Sequence, residues 1–169
     1  FGLLELSLET VETRELPTRR LDDLLADKML FSDRVDFLKI DIQGTAAVAL
    51  AGLYSALRVT GSTLAEQRLL FLGAGEAATG IADLVVAAQV AQGVPVEQAR
   101  RSCWLFDSKG LVHAGRGTLA RHKQPYAHEH APLTDFVDAI KSLEPTAIIG
   151  VAATAGAFSR PAIEAMTRL

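Results

Sequence analysis

The residues best suited to chemistry lie in Gly73-Ala74-Gly75-Glu76-Ala77-Ala78. A linked pair of phosphates needs a backbone that comes close and donates hydrogen bonds. Gly73 permits a tight turn, Gly75 has no Cβ to block the phosphates, and Ala78 allows close packing of a helix on a strand. A helix opening at Gly75 would aim free N–H groups and its positive dipole end at the same point. The string G-x-G-x-x-A is weak on its own. Here it follows the apolar run Leu69-Leu70-Phe71-Leu72 and precedes an apolar helical stripe at Ile81, Ala82, Val85, Val86 and Gln89, which is the required context.

Two further places could complete a dinucleotide site. Asp107 ends the next apolar run, where an acid can bond ribose hydroxyls. Ser108 and Lys109 follow it, and a hydroxyl and a cation beside a ribose suit a 2′-phosphate, hence NADP. A surface turn with a solvated lysine would read the same. The third place is Gly150-Val151-Ala152-Ala153, whose small side chains leave room over a strand end; a tight loop would also use them.

The elements that position these residues alternate. Strands are expected at 35–40, 69–72, 103–106 and 146–150, with a small one at 111–113. Helices are expected from Thr45, a plausible N-cap, to about Val59, then after Gly75, at 97–101, at 133–143 and at 159–169. Glu5 to Glu15 is weakly strand-like, and Thr18 to Lys28 reads as a short helix. Residues 114–132 read as a long polar loop. Strand-helix alternation implies an α/β fold, a Rossmann-like parallel sheet with right-handed crossovers and helices on both faces. Only its first mononucleotide-binding half is evident, so the doubly wound domain is incomplete.

The chain has 169 residues, 49% of them hydrophobic and 6% aromatic, which suits one domain with an aliphatic core. The net charge of −3 is mixed along the chain and gives no basic groove for nucleic acid. No apolar run is long enough for a bilayer. The start Phe1-Gly2-Leu3 has neither an initiator Met nor a secretory pattern, as in a fragment or a processed product. Cys103 is the only cysteine, so no disulfide framework or thiolate zinc site is available and a reducing, cytoplasmic setting is the default. It reads as a core thiol. His128-Glu129-His130 lacks a third metal ligand at fitting spacing and reads as a solvated loop. His113 and His122 stand alone and read as surface. Trp104 and Phe106 read as core or sheet-facing. No G-x-S-x-G elbow occurs.

Several strings, in order, resemble the malic enzyme family: DIQGTA (Asp41 to Ala46), FLGAGEAATGIA (Phe71 to Ala82), WLFDSKGL (Trp104 to Leu111), AHEH (Ala127 to His130) and PTAIIGVAA (Pro145 to Ala153). The resemblance covers residues 41–169 and implies an NADP- or NAD-binding domain. It places Gly73, Gly75, Glu76, Ala77 and Ala78 at the pyrophosphate, Asp107 at the ribose, and Ser108, Lys109 and Lys123 near a 2′-phosphate. Thr45, Val151 and Ala152 would line the groove, and Asp41 would match a metal-ligating acid. Family members oxidise malate by hydride transfer and decarboxylate the product with bound Mg²⁺ or Mn²⁺. A homo-oligomer is implied as well.

The pattern also departs from that family. Ile40 stands where a second Asp precedes DIQGTA, and the Glu-Asp pair that completes the metal site is not found. One carboxylate does not hold a catalytic divalent ion, so little malate oxidation is expected of this polypeptide alone. Residues 1–40 have another affiliation. Thr18 to Leu25 (TRRLDDLL) and Val35 to Gly44 (VDFLKIDIQG) are similar to FkbM-type methyltransferases, which use S-adenosylmethionine. In those proteins an acid stands two places after the Gly, where this chain has Ala46. A junction between two families and chance similarity both fit these letters.

Overall fold

A computed structural model describes residues 37–38, 46–152 and 158–169. The strand-like and helical readings of residues 5–15 and 18–28, and the sites at Asp41 and Thr45, lie outside them.

The described chain forms a sheet of strands β1 (Phe37–Leu38), β2 (Leu69–Leu72), β3 (Cys103–Asp107), β4 (Gly110–Leu111) and β5 (Ala147–Gly150), ordered β1-β5-β2-β3-β4. Helices α1 (Ala46–Thr60), α2 (Glu76–Ala91), α3 (Val96–Arg101), α4 (Phe136–Leu143) and α5 (Arg160–Met166) connect or cover them. β5, β2 and β3 run parallel and in register, with Leu70 opposite Trp104 on one side and Ile148 on the other.

The apolar run at β2 follows from coverage on both faces. Leu69 and Phe71 point into one core with Ala49, Leu53 and Leu57 of α1 and Ile81, Ala82 and Val85 of α2. Leu70 points into the other, with Ala139, Ile140 and Leu143 of α4 and Ala162, Ala165 and Met166 of α5. Alternate residues face opposite sides, so a strand buried on both must be apolar throughout. Helices thus lie on both faces, as expected. Gly61, at φ +72, ends α1 and donates its N–H to Leu57 O at 2.9 Å. Gln89 is buried on α2, yet its polar ends are met: Nε2 donates to Leu64 O at 2.8 Å and Oε1 accepts from Ser102 at 3.2 Å.

Three expectations need correcting. The sheet is not wholly parallel: Ser108-Lys109 is a two-residue turn that folds β4 antiparallel onto β3, pairing Phe106 with Leu111 and Asp107 with Gly110. The small strand accordingly starts earlier, at Gly110, and Val112 N continues to Leu105 O at 2.8 Å. α4 starts at Phe136, three residues later than expected. Leu133 instead lends its carbonyl to Leu111 N at 2.8 Å, and the Asp135 side chain caps the helix through Asp138 N at 3.0 Å. The polar stretch 114–132 also contains a 3-10 helix, Arg121–Tyr126.

Candidate functional site

β2 is joined to β3 on one flank and to β5 on the other, so the chain leaves it first one way and later the other. In an open α/β sheet such a reversal opens a crevice beyond the strands' carboxyl ends, where ligands settle. The turn after β2 lies at this point. Gly73 N donates to Phe106 O at 2.8 Å, and Val151 N donates to Leu72 O at 2.9 Å, which stitches the turn to both neighbours. Gly73 has φ +120, and a Cβ there would stand 3.0 Å from Ala152 N and from the Val151 carbonyl carbon. This glycine is required by the fold.

Gly75 differs. Its φ is −84, it is the N-cap of α2 with no capping side chain, and a Cβ on it would meet nothing within 4 Å. Gly75, Glu76 and Ala77 are exposed, and Ala78 is fully buried under the helix. The first intrahelical bond is Thr79 N to Gly75 O, at 3.1 Å. The amides of Glu76, Ala77 and Ala78 precede it and have no acceptor within the helix. The turn therefore presents donors and a positive dipole end beside open space.

Asp107 stands next to this turn at the end of β3. Its carboxylate accepts Lys109 N at 2.8 Å, the Arg116 guanidinium at 3.0 Å and Lys123 Nζ at 2.6 Å. Burial would raise this carboxyl, but Lys123, the Lys109 N–H and Arg116 outweigh it and hold the group below its ordinary value of 3.8. Lys123 and Arg116 are themselves mostly covered, at 20% and 16% exposure. Ser108 and the Lys109 side chain are exposed in the hairpin turn. Two clustered cations beside a carboxylate suit a doubly charged phosphate.

The depressed carboxyl gives a signed prediction. The ionised form is favoured by folding, so its contribution is present above pH 3.8 and is lost as pH falls through the lower folded value. Asp107→Asn should lower stability at pH 7 by about 1.5–3 kcal/mol, the usual worth of hydrogen bonds to a charged group. It should also flatten the acid limb of a melting-temperature profile. An unchanged limb would show the cations are not paired to Asp107 in solution.

Two histidines read as surface are elsewhere. His113 is buried, with its Nδ1 unpartnered, because the backbone at 113 bridges to 128 and Ala114 N donates to His128 O at 2.8 Å. His122 is half-buried over the Gly73–Ala78 turn, with Nε2 3.2 Å from Ala74 O and Nδ1 3.7 Å from Glu76 Oε1. His128 is half-buried as well, with Nε2 2.9 Å from Cys103 O and its ring edge-on to Trp104 at 4.7 Å. Burial lowers its pKa. Cys103 is buried as expected, and burial pushes its thiol up to about 12, so it is no nucleophile. Sequence reasoning missed Arg116 altogether. Its flanking glycines, Gly115 and Gly117, were the available signal of a free-reaching arm.

Among the described residues no cluster of three or more His, Cys, Asp or Glu could hold a metal ion. The described residues do not fit the divalent ion. Nor is any described helix long and apolar enough to cross a membrane. Two surface hollows lie away from the site, one of about 270 Å³ between α4 and α5, the other of about 340 Å³ at the amino edge of the sheet.

Comparison with known proteins decides the family. The model of the malic enzyme NAD-binding domain matches residues 42–169. The chain belongs to the malic enzyme family. An NADP-dependent malic enzyme of Vitis vinifera is 51% identical over 128 residues, covering 75% of this chain and 22% of that protein. One of Sus scrofa is 50% identical over 126 residues, covering 75% and 23%. A Flaveria trinervia relative, named chloroplastic, is 48% identical over 131 residues, covering 76% and 20%. The chain thus spans less than a quarter of these malic enzymes. Residues 3–64 also match the model of the FkbM methyltransferase domain. β1 comes from that segment, yet it pairs with β5, Phe37 opposite Ile148.

Proposed function

We propose that residues 41–169 form the NADP-binding unit of a malic enzyme, with residues 1–40 a segment of separate affiliation. The observation that carries this is the open Gly75 turn at the sheet's reversal, flanked by a carboxylate that already gathers two cations. The amides of Glu76, Ala77 and Ala78 would bond the pyrophosphate. Asp107 would orient the adenosine ribose, and Lys123, with Ser108 and Lys109 at the rim, would take the 2′-phosphate. Val151 and Ala152, packed against Gly73, would floor the groove, and Thr45 is assigned to its lining as well. NADP, when bound, would supply the hydride acceptor, which in a complete enzyme would take its hydride from malate. Asp41 is the one residue of this chain assigned to the metal. Self-association and a cytoplasmic setting belong to the same proposal, the latter supported by the single buried thiol.

The test is a calorimetric titration of this polypeptide with NADP, NAD and S-adenosylmethionine. NADP should bind more tightly than NAD, and S-adenosylmethionine should not bind. Lys123→Gln should weaken NADP about tenfold, one charge-assisted contact, and leave NAD nearly unchanged. Binding of S-adenosylmethionine without NAD(P) would favour the methyltransferase reading that residues 3–64 support.

A further inference from the structure

One imidazole leans directly on the phosphate turn. His122 lies on the 3-10 helix Arg121–Tyr126, and that helix is pinned to α2 by a hydrogen bond from the Tyr126 hydroxyl to Asp83. The ring is therefore held in place by an element other than the turn itself. Its Nε2 faces Ala74 O at 3.2 Å, and a carbonyl can only accept, so Nε2 carries a hydrogen. Any added proton then goes to Nδ1, the atom facing Glu76 Oε1 at 3.7 Å.

The Glu76 side chain is 93% exposed, so its hold on the ring is weak and screened. It also stands at the mouth of the amides that are without acceptors. A diphosphate arriving there brings a stronger anion to the same place. The charged groups around the ring are Glu76 on α2, Arg121 and Lys123 on the ring's own helix, and Asp107 beyond Lys123.

We propose that His122 is a proton-linked clamp on the pyrophosphate: in the free protein Nδ1 only faces Glu76 across 3.7 Å, and cofactor binding adds a proton at Nδ1, which then donates a hydrogen bond to the phosphate. The clamp rests on the function proposed above and adds a regulation to it. A charged imidazole bonds a phosphate more strongly than a neutral one can, so binding takes up a proton. Cofactor affinity therefore rises as pH falls.

The decisive experiment is calorimetric titration from pH 6 to pH 8, in buffers of different ionisation enthalpy. The 2′-phosphate of NADP titrates near pH 6 itself, so NAD, whose pyrophosphate does not, is used beside NADP. For NAD, affinity should be about fivefold higher at pH 6 than at pH 8, with proton uptake, in the wild-type chain. His122→Gln keeps a donor for Ala74 O but cannot titrate, and should lose the NAD dependence. Glu76→Gln should raise affinity at pH 8. A wild-type slope equal to that of His122→Gln, or no proton uptake, overturns the clamp while leaving the site standing. Absence of nucleotide binding at every pH overturns both.

Discussion

Gly75→Asp should weaken NADP binding by about a hundredfold or more while moving the melting temperature by no more than about 2 °C. The fold has no objection to a side chain at this position. The backbone is at φ −84, the glycine is exposed, and a Cβ meets nothing within 4 Å. Aspartate is also a favoured N-cap, and its charge suits a helix start, so stability should hold or rise slightly. Nucleotide binding has the opposite interest. The new carboxylate takes the helix's unpaired amides and puts a negative charge where the phosphates must lie. Losing two charge-assisted bonds of about 1.5–3 kcal/mol each exceeds the 2.8 kcal/mol that corresponds to a hundredfold. Calorimetric titration and a thermal melt read the two effects separately. Unchanged NADP affinity in this variant would sink the phosphate turn. Gly73 cannot serve for this test, since its substitution strains the turn against Val151 and Ala152 before any ligand arrives.

The largest stability loss is expected at Gly110, away from the turn. Its φ is +104, and a Cβ there would overlap the carbonyl oxygen of Leu133. That carbonyl is already engaged by Leu111 N at 2.8 Å, and the overlap is with backbone, which cannot rotate aside. Gly110→Ala therefore combines left-handed strain with overpacking, at a cost of about 3 kcal/mol or more. For a chain of this size the melting temperature should fall by about 6–12 °C. Gly117→Ala is the control, with ordinary φ and nothing within 4 Å of its Cβ, and should be nearly neutral. A neutral Gly110→Ala would mean that the β3–β4 hairpin is not seated on Leu133. Because Asp107 ends β3 and pairs with Gly110 in this hairpin, the variant should also lose nucleotide affinity in proportion to its unfolded fraction.

The parts of the site legible in the sequence are those that the sheet dictates. β2 had to be apolar because both its faces are covered, and Gly73 had to follow because the turn there is wedged against Val151 and Ala152. Asp107 was legible as the end of the next apolar run. The loop between β4 and α4 was not. Its residues have no period, and their positions come from contacts distant in sequence, such as Arg116 reaching back to Asp107 and His122 reaching Ala74. His113 was misread because a lone histidine in a polar stretch carries no sign that a backbone bridge will cover it. The late start of α4 was legible in principle: Asp135 and Asp138 have the spacing of a cap and its first turn.

Trp104 is the sole indole of the chain, and it stands on β3 with His128 and His130 edge-on at 4.7 and 5.7 Å. Its emission therefore reports one place: the strand that ends in Asp107. Since an imidazolium quenches an indole that it touches, the signal should dim on acidification as His128 gains a proton, below the ordinary imidazole range because burial lowers it. Unfolding should shift the emission to longer wavelength as water replaces the two rings, so the strand carries its own optical gauge with no label attached.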